Sequence, residues 1–364
     1  LKIPHEGQCV LQDAVRGEVV FDWAREQDHV IQRADGSCLY HLASVVDDHT
    51  MQISHVIRAE EHLSNTPRQI FIAQSLGYEL PVYAHLPYVA EPGGKNKISK
   101  RKLDTYLKNP DFKKLHEHGR TIADRIGRTV TADTFNPVIT NFYQQVGFLP
   151  EALLNYLLLL GWSLDDRTEN FTPAKMIEHF SLENVTTSAA VFNPEKLQWL
   201  NQQYIQNADP IDLATKLEPF LIKEDLLPYQ HDLSKEDIAK PIPSLNQRAQ
   251  TLIEMAQKSA FYFKKELTFD EKARNKFLNK DIKPHIEKLI VTINSMAVLE
   301  HDSLENLFKK VAEEAGLKLG KLAQPVRVAL TGSTASPGIY DVILLLGKTT
   351  TLERLNEAVS FIEK

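Results

Sequence analysis

The sequence predicts an α/β plus all-α fold, with a short α/β region first and a longer helical region after it. Three observations lead to this prediction. At 364 residues the chain is long enough for roughly two to four domains. Strand-like runs alternate with turn and helix signals up to about residue 90. From about residue 103 onward helix starts recur and strand signals largely vanish.

The first 90 residues contain the strand-like runs. Alternation in "GEVVFDW" is typical of a half-buried strand. "HVIQRADGSCLYHLASVV" places Asp35-Gly36 between two extended runs and predicts a hairpin, and "ISHVI" is a candidate for a short buried strand. Asn65-Thr66-Pro67 then predicts a helix that runs to about Leu76 and is closed by Gly77. Strand, loop and helix in this order form one unit of an α/β sheet.

Helix starts in the distal region are marked by a cap residue or a proline. They lie at Pro150, Thr172-Pro173, Asn193-Pro194 and Asp302-Ser303. The apolar run "EALLNYLLLLGW" is far shorter than the roughly 20 residues that span a bilayer. It therefore predicts a buried core helix, and we expect no membrane contact. Proline-containing linkers are expected at 207–212 and 239–247, with a further boundary near Lys283-Pro284.

Composition and missing motifs exclude several classes of protein. The formal net charge of −6 argues against a basic coat that binds nucleic acid indiscriminately, so a polyanion must be bound locally. Cys9 and Cys38 are the only cysteines and form no CxxC pair, which argues against disulfides and thiolate zinc and favours the cytoplasm. The sequence has no HExxH, GxSxG, P-loop or GxGxxG motif. We expect no zinc and no other resident metal.

One loop concentrates positive charge. "GGKNKISKRK" carries five cations, begins with a pair of glycines and contains no acidic residue. Glycines let a backbone approach a ligand closely, and lysines on such a loop can bind phosphate charge. Taken alone, the K-x-S-K pattern is more typical of a solvated basic turn. Both interpretations are open at this level.

Polar residues collect around the strand candidate "ISHVI". Arg58 follows this run directly, at the carboxyl end where α/β sheets bind ligands, and its planar guanidinium suits a carboxylate. An acidic small substrate is one interpretation. A structural ion pair with Glu60, Glu61 or Asp48 is the other, and it is the commoner fate of an isolated arginine. Asp47 and Asp48 are expected to cap or pair, because no third carboxylate follows at the spacing of a calcium loop.

Several longer stretches carry a family resemblance. They are "LYHLASVVDDHTMQISHVIRAEEHLSNTPRQIFIAQSLGYELPVYAHLPYV", "KISKR", "GFLPEALLNYLLLLGW", "VFNPEKLQWLNQQYI", "FDEKARNKFL" and "KLGKLAQPVRVALTGSTASPGIYDVILLLGK", in this order. Together they resemble the bacterial glutamyl-tRNA synthetases, which are class I enzymes. The resemblance implies the C-terminal half of a Rossmann-type class I catalytic core, then a stem-contact region and an all-helical anticodon-binding region.

The resemblance also implies an ATP site. "KISKR" matches the KMSKS signature, on a loop that closes over ATP, and Lys97 and Lys100 are the expected catalytic residues because they would neutralise phosphate charge. In "IRAEEHLS" two further residues are implied to lie beside ATP. The expected ATP-binding residues are Glu61, His62, Lys97, Ile98, Ser99, Lys100 and Arg101. Mg²⁺ is expected to accompany the nucleotide.

Three residues are implied to bind glutamate. Arg58 is expected to bind its side-chain carboxylate, and Tyr40 of "YHLA" matches a glutamate-contacting tyrosine. Ser44 stands where related enzymes often carry asparagine, so its contact is expected to be weaker or mediated by water.

The resemblance divides the chain into four regions. Residues 1–101 would be the distal part of the catalytic domain, with the end of the acceptor-binding insertion and the KMSKS-type loop. Residues 102–209 would contact the tRNA stem, and 210–284 and 285–364 would be helical anticodon-binding subdomains. The link at 102–146 is longer than is usual in the family, with an insertion at about 104–136 that is basic and predicted to be helical. An extra tRNA contact and a lineage-specific surface insertion both explain it, and the second is favoured.

One family signature is missing. The HIGH motif, which binds ATP near the start of class I catalytic domains, does not occur in the 364 residues, and the chain begins Leu-Lys-Ile-Pro with no initiator methionine. The sequence is therefore expected to correspond to about the last two thirds of the enzyme, with material missing upstream.

The implied function is ATP-dependent ligation of L-glutamate to tRNA(Glu) through glutamyl-adenylate, by an enzyme expected to be monomeric. One alternative is a catalytically incomplete tRNA-binding fragment or paralogue. A glutaminyl-tRNA synthetase is disfavoured by the helical C-terminal signal, and a glutamyl-queuosine tRNA synthetase by the about 260 residues that follow "KISKR".

A local basic stretch suits tRNA phosphates. Its cations are Lys272, Arg274, Lys276, Lys280, Lys283 and Lys288. Which residues read the anticodon, and whether tRNA(Gln) is also charged, stay open.

Overall fold

A computed structural model describes residues 1–91, 96–125 and 138–363, with the backbone alone at Lys100, His118, Gly119 and 121–125. Contacts divide the chain into two units. The first consists mainly of 1–116 and 150–197, and the second mainly of 140–149 and 198 onward. No helix in the described ranges is both long and apolar enough to cross a membrane.

The first unit is built on a four-stranded sheet. Its strands are β1 (Gln8–Asp13), β2 (Gly17–Asp22), β3 (His55–Ala59) and β4 (Val82–Leu86), in the order β2-β1-β4-β3. β1 and β2 form an antiparallel hairpin, whereas β4 runs parallel to both β1 and β3. The carboxyl ends of β1, β3 and β4 therefore meet at one edge of the sheet, which brings Asp13, Arg58 and His85 together although they are far apart in the sequence.

The helix α2 (Thr66–Ser75), which follows a 3-10 turn at Glu60–Asn65, packs on this sheet through Ile70, and α1 (Tyr40–Thr50) packs on α2. Val45 of α1 packs against Ile72 and Ala73 of α2. Pro67 lies in the first turn of α2, where its missing N–H costs no hydrogen bond. Gly77 follows the helix with a φ of +70°, a conformation that favours glycine. The predicted start and end of this helix are confirmed.

Two expectations for this region are wrong. Asp35-Gly36 forms a turn closed by a single bridge between Gln32 and Cys38, but the second extended run is the helix α1. Packing of α1 on α2 outweighs the β-propensity of its valines. β3 is not buried: Ile57 is 48% exposed, so its face of the sheet is uncovered at this point, and only β4 pairs with β3 in the described sheet.

The rest of the first unit is largely helical. It contains α3 (Leu103–Tyr106), the first part of α4 (Pro110–Arg125), α6 (Pro150–Leu159) and α7 (Pro173–His179), while α4 from Glu117 onward and α5 (Thr140–Val146) belong to the second unit. Two short strands, β5 (Val89–Ala90) and β6 (Ala190–Val191), pair in parallel. The helix predicted within the 104–136 insertion is α4, and the insertion's residues from 126 onward lie outside the described ranges.

The apolar helix α6 differs from its prediction as a core helix. Leu154 and Leu157 are each 52% exposed, whereas Asn155 is completely buried. The Asn155 side-chain amide donates to the Glu169 carbonyl at 2.9 Å and accepts from the Phe171 N–H at 2.7 Å. The face of α6 that carries Asn155 is buried because this side chain binds the backbone at Glu169 and Phe171, and Leu154 and Leu157 therefore face outward.

The second unit is helical throughout its described residues. The chain returns to it within α8 (Pro194–Asn207), and the helices that follow are α9 (Pro210–Lys223), α10 (Lys235–Ala239), α11 (Ile242–Leu245), α12 (Leu252–Lys258), α13 (Ala260–Phe263), α14 (Glu271–Phe277), α15 (Lys283–Ser295), α16 (His301–Glu314), α17 (Leu319–Thr331) and α18 (Ile339–Glu363). The predicted starts at Pro150, Pro173 and Pro194 are confirmed, and α16 begins one residue before Asp302.

One buried arginine ties the last helices together. Arg354 of α18 is 4% exposed and donates to the carbonyl oxygens of Phe261, Leu330 and Lys264 at 2.7–2.8 Å. These carbonyls lie at or beyond the ends of α13 and α17, where helix geometry leaves them without an intrahelical partner. A single guanidinium thus satisfies three helix-end acceptors.

Candidate active site

Arg58 near the end of β3 is the centre of the predicted glutamate site. Its Nε–H donates to His85 Nε2 at 3.0 Å, and its Nη2 donates to Thr66 Oγ1 at 2.9 Å. The guanidinium carbon lies 5.6 Å from the centroid of the Tyr83 ring, close enough for a cation–π contact. Arg58 forms no ion pair with any described carboxylate.

The ion pairs considered for Arg58 are thus not formed. Glu60 contacts Arg16, and Glu61 contacts Lys97. Burial raises the pKa of Asp48, and the nearby positive charge of Arg58 opposes this only in part. Arg58 is therefore held by neutral groups, and no carboxylate of the described residues contacts its guanidinium directly.

A buried Asp–His pair supports Arg58 from behind. His85 Nδ1 lies 2.5 Å from Asp13 Oδ2, and both side chains are completely buried. Asp13 Oδ1 accepts the backbone N–H groups of Val15, Arg16 and His85 at 2.9–3.1 Å. Burial alone would raise the pKa of Asp13, but these hydrogen bonds hold it below its ordinary value. Burial lowers the pKa of His85 although Asp13 opposes this, so His85 is neutral at physiological pH.

Arg16 connects this pair to the next part of the site. Its Nε–H donates to the His85 carbonyl at 3.2 Å, and its Nη2 donates to Glu60. Glu60 also accepts the backbone N–H of Tyr88 at 3.4 Å. The turn after β1 is therefore tied to the chain just after β3 and to the end of β4, next to Arg58 and His85.

The first turn of α1 supplies the other predicted glutamate residues. Tyr40 begins the helix and is 53% exposed, while Ser44 lies one turn later and is half-buried. Between them His41 is buried, and its Nδ1 has no hydrogen-bond partner among the described residues. Burial lowers the pKa of His41 to about 4, with smaller contributions from His29 and two arginines, one of them Arg58. Asp48 of α1 and Tyr83, whose ring lies 5.6 Å from the Arg58 guanidinium, line one cavity, so α1 lies beside the Arg58 site.

The basic loop is held along its backbone. The Ile98 N–H donates to the Val89 carbonyl at 2.9 Å, and the Ser99 N–H donates to the Tyr106 hydroxyl at 2.8 Å. Lys97 lies opposite Ala90 in an antiparallel bridge. Lys100 begins a 3-10 turn, but its side chain is outside the described part, as are the residues of the glycine pair.

Lys97 points to the predicted ATP residues. Its ammonium contacts Glu61, and this hydrogen bond lowers the pKa of Glu61. Glu61 lies 3.8 Å from His62 Nε2. Lys97, Glu61 and His62 thus form one exposed cluster, with Lys97 53% and Glu61 46% exposed at their side chains. Arg101 is exposed as well.

A cavity of about 730 Å³ lies between the end of α1 and the loop after α2. Its walls include Asp48, Tyr78 and Tyr83, but neither Arg58 nor Tyr40. The cavity therefore shares Tyr83 with the surroundings of Arg58, but the predicted glutamate-binding residues do not line it.

Sequence reasoning missed Asp13, Arg16, Thr66 and His85. Asp13 and His85 each lie at the end of an apolar run, as in "VYAHLPYV", where a histidine interrupts a strand. A polar residue at the carboxyl end of a predicted strand was a usable signal, because such ends meet in a parallel sheet.

The basic stretch of the second unit is mostly engaged with its own neighbours. Lys283 pairs with Glu287 and Glu363, and Lys288 pairs with Glu314. Arg274 lies over two aromatic rings, Phe269 and Phe361. No contact is described for Lys280, which is exposed.

This fold and site agree with one family of proteins. Residues 1–133 and 126–199 match the catalytic domain of the class I tRNA synthetases (E and Q), and residues 212–359 match an anticodon binding domain. The chain belongs to the class I tRNA synthetases of this type, and the predicted fold class is confirmed.

Within that class the relatives are glutamate–tRNA ligases. Those of Syntrophobacter fumaroxidans and Geotalea uraniireducens are 42% and 40% identical over the whole chain, which spans 69% of each. A solved glutamate tRNA ligase from Elizabethkingia meningosepticum, in complex with its amino acid, is 29% identical with a TM-score of 0.77. The match covers 99% of this chain and 68% of that one. The resemblance recognised in the sequence is thus confirmed, and the chain belongs to the glutamate–tRNA ligase family.

Proposed function

We propose that this chain serves the ATP-dependent ligation of L-glutamate to tRNA(Glu). Glutamate and ATP give glutamyl-adenylate and pyrophosphate, and the glutamyl group then passes to the terminal ribose of the tRNA with release of AMP. Family membership supports the reaction class. The observation that carries the choice of amino acid is Arg58, an oriented cation with no anionic partner among the described residues.

Arg58 would bind the side-chain carboxylate of glutamate. A carboxylate accepts two parallel hydrogen bonds from the end of a guanidinium, a geometry that a neutral side-chain amide reproduces poorly because it lacks the charge. Tyr40, exposed at the first turn of α1, would contact the amino acid by its ring and hydroxyl. Ser44 is shorter than asparagine, so its contribution would be weaker or pass through water.

Lys97 and Lys100 would neutralise the charge that develops on the ATP phosphates when the glutamate α-carboxylate attacks the α-phosphorus. In the free chain Lys97 contacts Glu61. Because this pair is exposed and solvent-screened, it is weak, and the triphosphate can replace Glu61 as its partner. The remaining ATP contacts would come from His62, Ile98, Ser99 and Arg101, and Mg²⁺ would arrive bound to the nucleotide as part of the substrate.

The helical regions would bind the tRNA. Residues 102–209 would contact the stem, and 210–284 and 285–364 would form the anticodon-binding subdomains, in keeping with the anticodon binding domain matched at 212–359. Bases are read singly in such sites after they are splayed from the stack. We place the enzyme in the cytoplasm as a monomer.

Glutamate-dependent pyrophosphate exchange by the full-length gene product tests this proposal. Arg58→Gln should raise KM for glutamate by about a hundredfold, since a charge-assisted bidentate contact is lost, and should change KM for ATP little. Lys100→Ala should lower kcat by orders of magnitude with a smaller effect on tRNA affinity. Arg33→Gln, which removes an exposed arginine from the 33–37 turn, is the matched control. An unchanged glutamate KM in Arg58→Gln would refute the assignment.

A further inference from the structure

The His85 ring lies between the buried Asp13 carboxylate and the Arg58 guanidinium. Its Nδ1 is 2.5 Å from Asp13 Oδ2, and its Nε2 is 3.0 Å from Arg58 Nε. Thr66 Oγ1 lies 3.2 Å from the same Nε2 and 2.9 Å from Arg58 Nη2. Asp13, His85 and Thr66 are completely buried, so water cannot replace any of these contacts without a structural change.

The protons in this chain of contacts can be assigned from chemistry. Arg58 Nε–H is a donor at every accessible pH, so His85 Nε2 must be an unprotonated acceptor. The ring proton is then on Nδ1, where it donates to Asp13 Oδ2. A proton on Nε2 would set two donors against each other in a buried site. The Asp13 carboxylate therefore selects the only His85 tautomer that can accept from Arg58.

These contacts occupy one edge of the Arg58 guanidinium. A guanidinium has five N–H groups, and here the Nε–H and one Nη2 N–H are directed to His85 and Thr66. The two N–H groups of Nη1 and the second of Nη2 form the opposite end, and no described residue binds them. Two parallel N–H groups on that end match the spacing of a carboxylate.

We propose that Asp13 and His85 are positioning residues that fix the Arg58 side chain, so that its Nη1/Nη2 end faces the side-chain carboxylate of glutamate. The inference rests on the proposed role of Arg58 as the glutamate-binding cation. Neither Asp13 nor His85 touches the substrate. They lower the cost of binding because the guanidinium is ordered before glutamate arrives.

The sharpest variant is Asp13→Asn, which is nearly isosteric. Three backbone N–H groups at Asp13 Oδ1 retain the amide oxygen on their side, so the amide NH₂ faces His85. His85 Nδ1 must then accept, and the ring proton moves to Nε2, against Arg58 Nε–H. His85→Phe is the second variant, which removes the acceptor and keeps a ring of similar size. Asp28→Asn is the matched control, since Asp28 also accepts a backbone N–H, that of Ile3 at 3.0 Å, and does not contact His85.

The variants are compared in the full-length gene product by glutamate-dependent pyrophosphate exchange, with KM for both substrates, kcat and thermal unfolding measured. Asp13→Asn and His85→Phe should each raise KM for glutamate about tenfold, the equivalent of one lost charged hydrogen bond. KM for ATP should stay within about twofold, and Asp28→Asn should match the parent protein. Each variant is also combined with Arg58→Gln, where it should raise the glutamate KM no further.

The outcomes separate this inference from the proposed function. Equal rises in the KM for glutamate and for ATP, or effects that add to that of Arg58→Gln, would mean a general structural role and overturn the inference. A large effect of Arg58→Gln with none from Asp13→Asn would also overturn it and leave the proposed function standing. A parental glutamate KM in Arg58→Gln would reject the glutamate-binding role itself. If His85→Phe does not fold, Asp13→Asn carries the same test.

Discussion

Arg354 and the Asp13–His85 pair are buried polar groups that are stabilised in different ways. Arg354 donates hydrogen bonds to three backbone carbonyls, and none of its described contacts is with a carboxylate. Asp13 and His85 instead share one proton between them, with Asp13 further held by three backbone N–H groups. The described Arg354 hydrogen bonds all go to backbone carbonyls, whereas the Asp13–His85 pair is linked to Arg58, whose outer N–H groups have no described partner.

His41 should make the protein sensitive to acid. Its pKa is about 4 in the folded chain and about 6.5 when unfolded, so below pH 6.5 the unfolded state binds more protons. The stabilising contribution of the neutral ring is therefore complete above pH 6.5 and is lost as the pH falls towards 4. Between these limits the free energy of unfolding should fall by up to about 1.4 kcal/mol per pH unit from this group.

Urea unfolding of the parent protein and of His41→Phe at several pH values between 4 and 7 measures this contribution. The variant should show a shallower fall in its free energy of unfolding with acid. His29, whose pKa is lowered mainly by burial, is present in both proteins and contributes equally to both curves. Parallel curves would show that His41 is not the group that titrates.

At the scale of elements, α6 inverts the usual relation between polarity and burial. Asn155→Leu should destabilise the protein by about 3 kcal/mol, because the Phe171 N–H and the Glu169 carbonyl lose their partner in a buried position. Leu157→Gln, on the exposed face of the same helix, should change the free energy of unfolding by no more than about 0.5 kcal/mol. Chemical denaturation of both variants checks the prediction, and a costlier Leu157→Gln would show that the outer face of α6 is covered in solution.

The helix starts that were predicted from the sequence are correct to within one residue, because a cap or a proline acts within one turn. Pro150, Pro173 and Pro194 begin helices as expected. Local signals did not determine which face of α6 is buried or that α1 is a helix, since both depend on packing against segments distant in the chain. The same limit applies to the site. Arg58 could be singled out by its position at the end of a strand. Its partners Thr66 and His85 could not be, because only the folded chain brings them into contact with it.

The whole molecule carries a net charge of −6, so tRNA phosphates must be bound by particular uncompensated cations. In the basic stretch Lys288 is paired with Glu314, whereas Lys280 is exposed and has no described partner. Lys280→Ala should therefore reduce the slope of log affinity for tRNA against log salt by about one. Lys288→Ala should leave the slope nearly unchanged, because its charge is already compensated.

Filter binding or fluorescence titration with tRNA(Glu), over a series of potassium chloride concentrations, measures both slopes. Far-UV circular dichroism of the two variants checks that the total helix content is unchanged. Equal slopes for Lys280→Ala and the parent protein would place the phosphate contacts elsewhere in the chain.

The hydrogen bond between Asp13 and His85 also bears on the order in which the protein folds. It joins residues 72 positions apart, and Arg58 joins His85 across 27, so the support of the site depends on closing long loops. Contacts of high sequence separation are formed only after the entropy of loop closure has been overcome. We therefore expect this cluster to assemble after the folding transition state. Substitutions at Asp13 or His85 should accordingly speed unfolding while leaving the refolding rate almost unchanged.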